Sequence, residues 1–210
     1  MLSVSGLTKR FGGFTAVNAI SFDVREGEIL GLIGPNGSGK STTFNLIAGA
    51  LIPSAGSVRF QGRDIAGYPP YRVAHAGIAR THQIPRPFRR LSLLENVALA
   101  AHYGSEQRPS RERAFVRAAE ILQLVNLPSD SQTRAEGLGA AGLKKLELAR
   151  ALATEPKLLL ADESLGGLDE HEMDQAADML RSIRTQRGIT IIWVEHIMGV
   201  LMRIVDRCVV

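Results

Sequence analysis

"ILGLIGPNGSGKST", residues 29–42, is the stretch that decides the fold. An apolar run leads into a glycine-rich turn, and a helical pattern follows from Lys40 to Ala50. The turn fits the P-loop pattern G-x-x-x-x-G-K-[ST], and it stands between a strand and a helix, as the mechanism of the motif requires. There the backbone N–H groups point at one anion, and the helix adds the positive end of its dipole. The alternative is a glycine-rich turn that matches the motif by chance, but the flanking strand and helix argue against it. The residues predicted to bind a nucleotide are Gly34, Asn36, Gly37, Ser38, Gly39, Lys40, Ser41 and Thr42.

A second strand that ends in an acid would complete such a site, and "LLLADE" supplies it. Leu158–Leu160 are expected to lie beside the P-loop strand. Asp162 would then reach the shell of a Mg²⁺ ion, with Glu163 one residue further on toward the phosphate. Lys40 would reach the β- and γ-phosphates, and Ser41 would offer its hydroxyl to Mg²⁺. Two adjacent acids at a strand end could instead merely cap the next helix.

Composition narrows the class of protein. The chain has 210 residues, of which 45% are hydrophobic and 22% charged, so a globular domain is expected, with or without a subdomain. The net charge of +4 permits an acidic partner without arguing for one, because the basic residues are scattered apart from Arg86, Arg89 and Arg90. No window approaches the roughly 18 apolar residues that span a bilayer, so any membrane role is expected to come through a partner. Cys208 is the single cysteine, which favours a reducing compartment.

Strand-like and helix-like segments alternate at both ends of the chain, and the middle is helical. This order predicts an α/β core interrupted by a helical insert of about seventy residues, which begins after the prolines of "IPRPF". The predicted strands are Leu2–Leu7, Ala16–Val24, Ile29–Ile33, Val58–Phe60, "KLLLAD", "GITIIWV" and the final "DRCVV". The predicted helices are Lys40–Ala50 and, approximately, Ser92–His102, Ser110–Leu124, Leu143–Thr154 and Glu170–Arg184.

Five motifs, taken in order, resemble one protein family. They are "GLIGPNGSGKST", "ARTHQ", "ALATEPKLLLADE", "GGLD" and "VEH". At these distances they look like the nucleotide-binding subunit of an ABC transporter, and the similarity runs over essentially the whole chain. The segments "GIARTHQIPRPFRRLSLLENV" and "WVEHIMGVLMRIVDR" most resemble the ATPases of branched-chain amino acid importers.

The resemblance implies a P-loop (RecA-like) α/β core with an N-terminal antiparallel β subdomain and an inserted α-helical subdomain. One ABC nucleotide-binding domain would span residues 1–210, with its core at 1–83 and 156–210 and its helical subdomain at about 84–155. Since members of the family normally continue with further strands and helices, the C-terminal part of the domain is expected to lie beyond residue 210.

The resemblance also implies roles for individual residues. Phe11 matches the aromatic residue that stacks on adenine, although a lone phenylalanine is more often a core residue. Gln83 matches the Q-loop glutamine, which contacts Mg²⁺ and the attacking water and links to the transmembrane subunit. Glu163 matches the catalytic glutamate, and His196 matches the switch histidine on the γ-phosphate. Asp169 matches the D-loop aspartate that faces a partner subunit.

The stretch "EGLGAAGLKKLELAR", residues 136–150, consists in its first half mostly of glycine and alanine. Such a run either ends a surface loop or allows a ligand or a partner to come close to its backbone. The signature LSGGQ of the family falls here on Leu138, Gly139, Ala140, Ala141 and Gly142. In an ABC dimer that loop closes over the γ-phosphate of the ATP held by the other subunit, which favours close approach. Gly139 cannot donate the serine hydroxyl, and Ala141 puts a methyl group where a glycine would admit the backbone. A hydrogen bond to a charged oxygen contributes roughly 1.5–3 kcal/mol, so its loss matters without forbidding binding.

These features predict an ATP-hydrolysing subunit that uses ATP and Mg²⁺, dimerises around two ATP molecules and drives transmembrane permease subunits through its helical insert. The resemblance implies a peripheral position on the cytoplasmic face of the inner membrane, branched-chain or related amino acids as cargo, and a periplasmic substrate-binding protein as an indirect partner. No nucleic-acid partner is expected. The rival hypothesis is a non-transport ABC ATPase that acts on DNA or the ribosome as a nucleotide-dependent switch. Such proteins usually carry a long coiled coil or a second ATPase module, and neither fits into 210 residues. A binding-only module is a third, against which Glu163 and His196 argue.

The composition of the dimer is open. Every residue that acts on the chain's own ATP matches the family, whereas the altered signature would act on the ATP of the partner. A homodimer would carry the defect at both sites and hydrolyse slowly, while a second ATPase with a full signature would complete the site on this subunit. Importers of the branched-chain type generally pair two different ATPases, so we expect a heterodimer.

Overall fold

The computed structural model describes residues 1–162, 169–195 and 198–210. Its strands are β1 (Leu2–Phe11), β2 (Phe14–Val24), β3 (Ile29–Leu32), β4 (Ala55–Phe60), β5 (Arg63–Asp64), β6 (Ile78–Arg80), β7 (Leu158–Asp162), β8 (Thr190–Val194) and β9 (Arg207–Val209). Its α-helices are α1 (Lys40–Ile47), α2 (Pro70–Ala76), α3 (Leu93–Tyr103), α4 (Arg111–Leu124), α5 (Ala140–Leu152), α6 (Glu170–Arg187) and α7 (Met198–Leu201), and a short 3-10 helix covers Ala135–Gly137.

The described strands form an antiparallel and a parallel sheet. The antiparallel sheet has the order β2-β1-β4-β5, and β1 and β2 are joined by a tight Gly12–Gly13 turn that places Phe11 opposite Phe14. The parallel sheet has the order β6-β7-β8-β3-β9. Together with the helices, this architecture confirms the expected α/β class with an N-terminal antiparallel sheet and an inserted group of helices.

The parallel sheet is buried on both faces, which explains the unbroken apolar runs of its strands. Leu158 and Leu160 of β7 pack into a core that is shared with α1 and the antiparallel sheet. Leu159 and Ala161 point to the opposite face, into a core shared with helices α3 to α6. The sheet therefore sits between the N-terminal sheet and the helical segment, and its carboxyl edge can receive residues from both sides.

The expectation that Leu158–Leu160 lie beside the P-loop strand is wrong. Strand β7 pairs with β6 and β8, and β8 separates it from β3. All five residues of β8 are buried, as a central position requires, but β7 carries the same apolar pattern. Local sequence does not encode which of two such strands is central. Because the strands are parallel, Asp162 still ends at the same sheet edge as the P-loop.

The helical segment has clear start signals. Ser92 and Glu95 form a reciprocal capping box at the start of α3. Helix α5 begins at Ala140 instead of the predicted Leu143, because alanine is a strong helix former and Gly139 provides an extended N-cap. Along the described part of the chain, no helix combines the length and apolarity that crossing a bilayer requires.

Candidate functional site

The glycine-rich loop connects the buried strand β3 to the start of α1. Gly39 is the N-cap of α1 and has a left-handed backbone with φ of 95°. A Cβ atom at this position would lie 2.6 Å from the carbonyl oxygen of Ala16, so both the conformation and the close approach of β2 require glycine. The N–H groups of the first turn of α1 therefore open toward the loop, where they can bind an anion.

The Lys40 side chain lies folded against this loop. Its residue is 8% exposed, and its Nζ donates to the carbonyl oxygens of Gly34 at 2.7 Å and Pro35 at 2.9 Å. Among the described residues this charged donor bonds loop carbonyls, which it can exchange for phosphate oxygens that carry a full negative charge and bind it more strongly. The position of Lys40 therefore fits a phosphate-binding lysine.

A cleft of about 560 Å³ opens above the loop. It brings Gln83, which follows β6, to the same cavity as Lys40 and Ser41 of α1. Residues from segments far apart in the chain therefore line one cavity. The lining residues are Phe14, Ala16, Asn36, Gly37, Gly39, Lys40, Ser41, Thr42 and Gln83.

Phe14 lines this cleft, and Phe11 is not among its lining residues. The two face each other across the hairpin and are both exposed, Phe11 by 47% and Phe14 by 66%. The Nζ of Lys9 lies 5.0 Å from the ring centroid of Phe11, so that ring already has a cationic neighbour. Sequence reasoning missed Phe14, although "FGGF" carries the signal, since a two-residue Gly-Gly turn places its flanking residues opposite each other.

Asp162 ends β7 and is 3% exposed. Its Oδ2 forms a salt bridge of 2.7 Å with the guanidinium of Arg80, and its backbone N–H donates to Oγ1 of Thr81 at 3.2 Å. Its Oδ1 is buried, and no donor of the described residues reaches it. A buried oxygen without a partner is costly unless a ligand satisfies it, and a hard cation such as Mg²⁺ takes oxygen ligands. The oxygen-bearing side chains of Asp162, Ser41 and Gln83 fit that ion.

Sequence reasoning also missed Arg80. Its side chain joins Asp162 of β7 to Asn45 of α1, and it is 12% exposed. No local pattern marks this arginine, because its partners are 35 and 82 residues away along the chain.

A wider groove of about 710 Å³ runs from this site toward the helical segment. Ser41, Gln83 and Asp162 line one part of it, and Arg86 and Arg150 line another. Exposed apolar side chains follow Gln83 in the chain: Ile84 is 70% exposed and Phe88 52%. The groove thus connects the candidate nucleotide site with a partly apolar surface.

His82 also lines this groove. Its partial burial lowers the pKa of the imidazole below the usual value, an effect that the nearby Glu147 carboxylate opposes and the Arg80 guanidinium reinforces. The neutral imidazole is therefore favoured beside Gln83.

The altered signature stretch divides into a cap and a first helical turn. Gly139 caps α5 without a side-chain hydrogen bond, and a Cβ atom there would meet nothing within 4 Å. Ala141 is partly buried and packs on the helical core. A Cβ atom at Gly142 would lie 3.1 Å from the Leu138 side chain. The signature stretch therefore has room for a side chain at position 139 but little room for one at position 142.

Three predicted site residues are not among those that line the cleft or the groove. Glu163 and His196 lie outside the described residues. Asp169 is exposed and caps α6: its carboxylate accepts the N–H of Glu172 at 2.8 Å, and the Glu172 carboxylate accepts the N–H of Asp169 at 3.1 Å. In this single chain its carboxylate therefore serves its own helix.

The family model of the ABC transporter matches residues 17–166. The chain is 35% identical to the high-affinity branched-chain amino acid transport ATP-binding protein BraF of Pseudomonas aeruginosa, over 100% of this chain and 87% of that protein. It is also 36% identical to the sulfate/thiosulfate import ATP-binding protein CysA 2 of Chromobacterium violaceum, over 100% of this chain but 55% of that protein.

Solved structures share the fold. The ATP-binding cassette MJ1267 of an ABC transporter superposes with a TM-score of 0.88 at 31% identity, covering 98% of this chain and 85% of that one. A dimeric post-hydrolysis state of the cassette MJ0796, bound to ADP and Pi, has a TM-score of 0.84 at 26% identity, covering 95% of this chain and 90% of that one. The chain belongs to the ABC transporter family and is one of its ATPases.

Proposed function

We propose that this ATPase energises an importer of branched-chain or related amino acids from the cytoplasmic face of the membrane. The observation that carries the proposal is that Lys40, Ser41 and Gln83 line one cleft, while Ser41 and Gln83 also share the wider groove with Asp162, whose Oδ1 has no hydrogen-bond partner among the described residues. Phosphate, metal and coupling functions would then meet at a single site. BraF, which the chain matches along most of its length, supports the choice of cargo.

ATP would bind with its phosphates in the glycine-rich loop. Phosphate oxygens would replace the carbonyls of Gly34 and Pro35 as acceptors for Lys40, while N–H groups of the first turn of α1 bind the same anion. Phe14 lies in the cleft and would pack on the adenine, with Phe11 beside it across the hairpin.

The metal ligands would be the hydroxyl of Ser41, the amide oxygen of Gln83 and the carboxylate of Asp162. Mg²⁺ held by these residues would neutralise charge on the phosphate oxygens. The buried Oδ1 of Asp162 supports this assignment, because a metal shell would satisfy it.

Hydrolysis would use residues that follow β7 and β8. Glu163 would accept a proton from the attacking water, and His196 would contact the γ-phosphate. These two roles rest on the family resemblance, since both residues lie outside the described part of the chain. Gln83 would orient the water and report the γ-phosphate to the groove that it lines.

A second ATPase subunit would complete each site. The first turn of α5 would face the ATP of the partner, with the backbone N–H groups from Ala140 to Gly142 as donors and without the hydroxyl that Gly139 lacks. Asp169 would lie near the same interface. A different partner subunit with a full signature would leave the site on this chain complete, so we favour a heterodimer, and the dimeric cassette among the similar structures supports two-subunit assembly.

The permease would dock in the groove beside Gln83. The exposed Ile84 and Phe88 offer apolar area, and Arg86 offers charge. A periplasmic binding protein would then act on the other side of the permease without touching this chain.

An uptake assay tests the cargo and the transport role together. Deleting the gene in its source organism is expected to reduce uptake of labelled leucine while sparing sulfate uptake, and the wild-type gene is expected to restore it. Complementation with Lys40→Ala serves as the matched control and is expected to fail. Unchanged leucine uptake after deletion would contradict the proposal, and a selective loss of sulfate uptake would assign a different cargo.

A further inference from the structure

Arg80 connects three elements of the nucleotide site. Its NH2 group donates to Oδ2 of Asp162 at 2.7 Å, at the end of β7. Its NH1 group donates to Oδ1 of Asn45 at 2.5 Å, on the helix that follows the phosphate loop. The guanidinium carbon lies 5.8 Å from the ring centroid of Phe44 on the same helix. The side chain therefore spans from the phosphate helix to the carboxylate at the sheet edge.

The Arg80–Asp162 pair engages one carboxylate oxygen only. Arginine can bind both carboxylate oxygens with parallel N–H groups, but here the Nε of Arg80 and the Oδ1 of Asp162 are both buried, and neither has a hydrogen-bond partner among the described residues. Thr81 adds a further constraint, since its Oγ1 accepts the N–H of Asp162 and its own N–H donates to Leu160. One oxygen of Asp162 is thus held in place, and the other has no hydrogen-bond partner among the described residues.

We infer that Arg80 is a positioning residue for the metal: it holds Oδ2 of Asp162 so that Oδ1 faces the cation delivered with ATP. This inference rests on the proposed metal site. Mg²⁺ demands near-ideal octahedral geometry, so the orientation of a single carboxylate affects how well the ion is bound. The planar guanidinium suits the role, because it donates to two different partners from one plane and its carbon lies 5.8 Å from the Phe44 ring centroid, within the range of a cation–π interaction.

This geometry separates two steps that a simple structural role would not separate. Arg80 lines the wider groove together with Ser41 and Asp162, but it does not line the cleft at the phosphate loop, where Lys40 lies. Loss of the guanidinium should therefore spare the binding of ATP without metal and weaken the additional affinity that Mg²⁺ supplies. A side chain that only stabilised the fold would change both affinities together.

Calorimetry with a non-hydrolysable ATP analogue measures both quantities. The affinity is determined once with excess EDTA and once with Mg²⁺, and the ratio of the two gives the gain from the metal. Arg80→Gln is expected to keep the EDTA affinity within about twofold of wild type and to reduce the gain at least about threefold. Arg80→Lys, which keeps the charge but cannot bridge both partners, is expected to be intermediate. Arg117→Gln removes a 2.9 Å ion pair with Glu155 outside the site and serves as the matched control, with no change in the gain.

Further variants separate the outcomes. In an Asp162→Asn background, Arg80→Gln should reduce the gain no further, because the two residues act through one contact. If Arg80→Gln does not fold, Asn45→Ala, which removes the other anchor of the guanidinium, is expected to lower the gain as well. A full gain in folded Arg80→Gln, or a parallel fall of both affinities, would overturn the inference and leave the metal site standing. A wild-type protein without any gain would overturn the metal site together with it.

Discussion

Gly139→Ser tests most directly whether the altered signature loop limits hydrolysis. Gly139 has φ of −71° and ψ of −179°, which any residue adopts, and a Cβ atom there meets nothing within 4 Å. Serine is also a favoured N-cap residue, so it should be accepted without strain. Ala141→Gly is a less suitable probe, because Ala141 lies in the first turn of α5, where glycine costs roughly 0.5–1 kcal/mol relative to alanine.

The structure predicts different magnitudes for stability and for turnover. Exchanging glycine for serine at an N-cap changes stability by only about a few tenths of a kcal/mol. A hydroxyl that donates to a phosphate oxygen across the dimer contributes about 1.5–3 kcal/mol. If that bond forms in the transition state, turnover of a homodimer should rise roughly tenfold to 150-fold.

Phosphate release by the isolated protein at saturating ATP and Mg²⁺ measures the effect, and thermal unfolding checks the stability. Gly137→Ser is the matched control, because a Cβ atom at Gly137 also meets nothing within 4 Å and the residue precedes the signature stretch. We expect slow release by the wild-type chain, a clear rise in Gly139→Ser and no change in the control. Rapid hydrolysis by the wild type that Gly139→Ser leaves unchanged would show that the loop works without the hydroxyl.

Three further experiments test individual contacts. Lys40→Ala should weaken ATP binding roughly 10- to 150-fold by calorimetry, since a charge-assisted contact of about 1.5–3 kcal/mol is lost, and unchanged affinity would remove the phosphate-loop assignment. Phe14→Ala should weaken ATP binding more than Phe11→Ala while sparing inorganic triphosphate, because only Phe14 lines the cleft, and the reverse order would return the adenine contact to Phe11. Charge reversal at Arg86 and Arg89 should uncouple reconstituted transport and spare ATP binding. The reversal at Arg86 leaves the hydrogen bond from Arg150 intact, because Arg150 donates to the backbone carbonyl of Arg86. Transport that survives the double reversal would therefore identify Arg86 and Arg89 as a solvated cluster.

The sequence predicted those parts of the site that local chemistry specifies. The loop from Gly34 to Ser41 could be recognised as a phosphate-loop motif because its glycines, lysine and hydroxyl stand within eight consecutive residues. Asp162 could be placed because the carboxyl ends of parallel strands share an edge. The neighbour of β3 could not be predicted, since β7 and β8 carry the same buried pattern and only their packing orders them.

Other features of the site were not predicted from the sequence. Arg80 acts through partners far away in the chain, and no spacing rule connects them. The start of α5 was predicted three residues too late because the glycines at 139 and 142 obscured a first turn that the alanines at 140 and 141 favour. The roles of Glu163, His196 and the D-loop Asp169 remain predictions from the family resemblance.

Glu163→Gln gives the most direct test of the central claim, that the chain hydrolyses ATP at a site built from its own phosphate loop and the end of β7. Phosphate release and ATP affinity are measured on the same preparations of wild type and Glu163→Gln, with the proposed partner ATPase present. A positioned general base contributes about 10²–10⁴-fold, so the variant should release phosphate more slowly by that factor, bind ATP as tightly as wild type and accumulate as an ATP-bound dimer. Phosphate release at the wild-type rate by Glu163→Gln would contradict the account and place the base elsewhere.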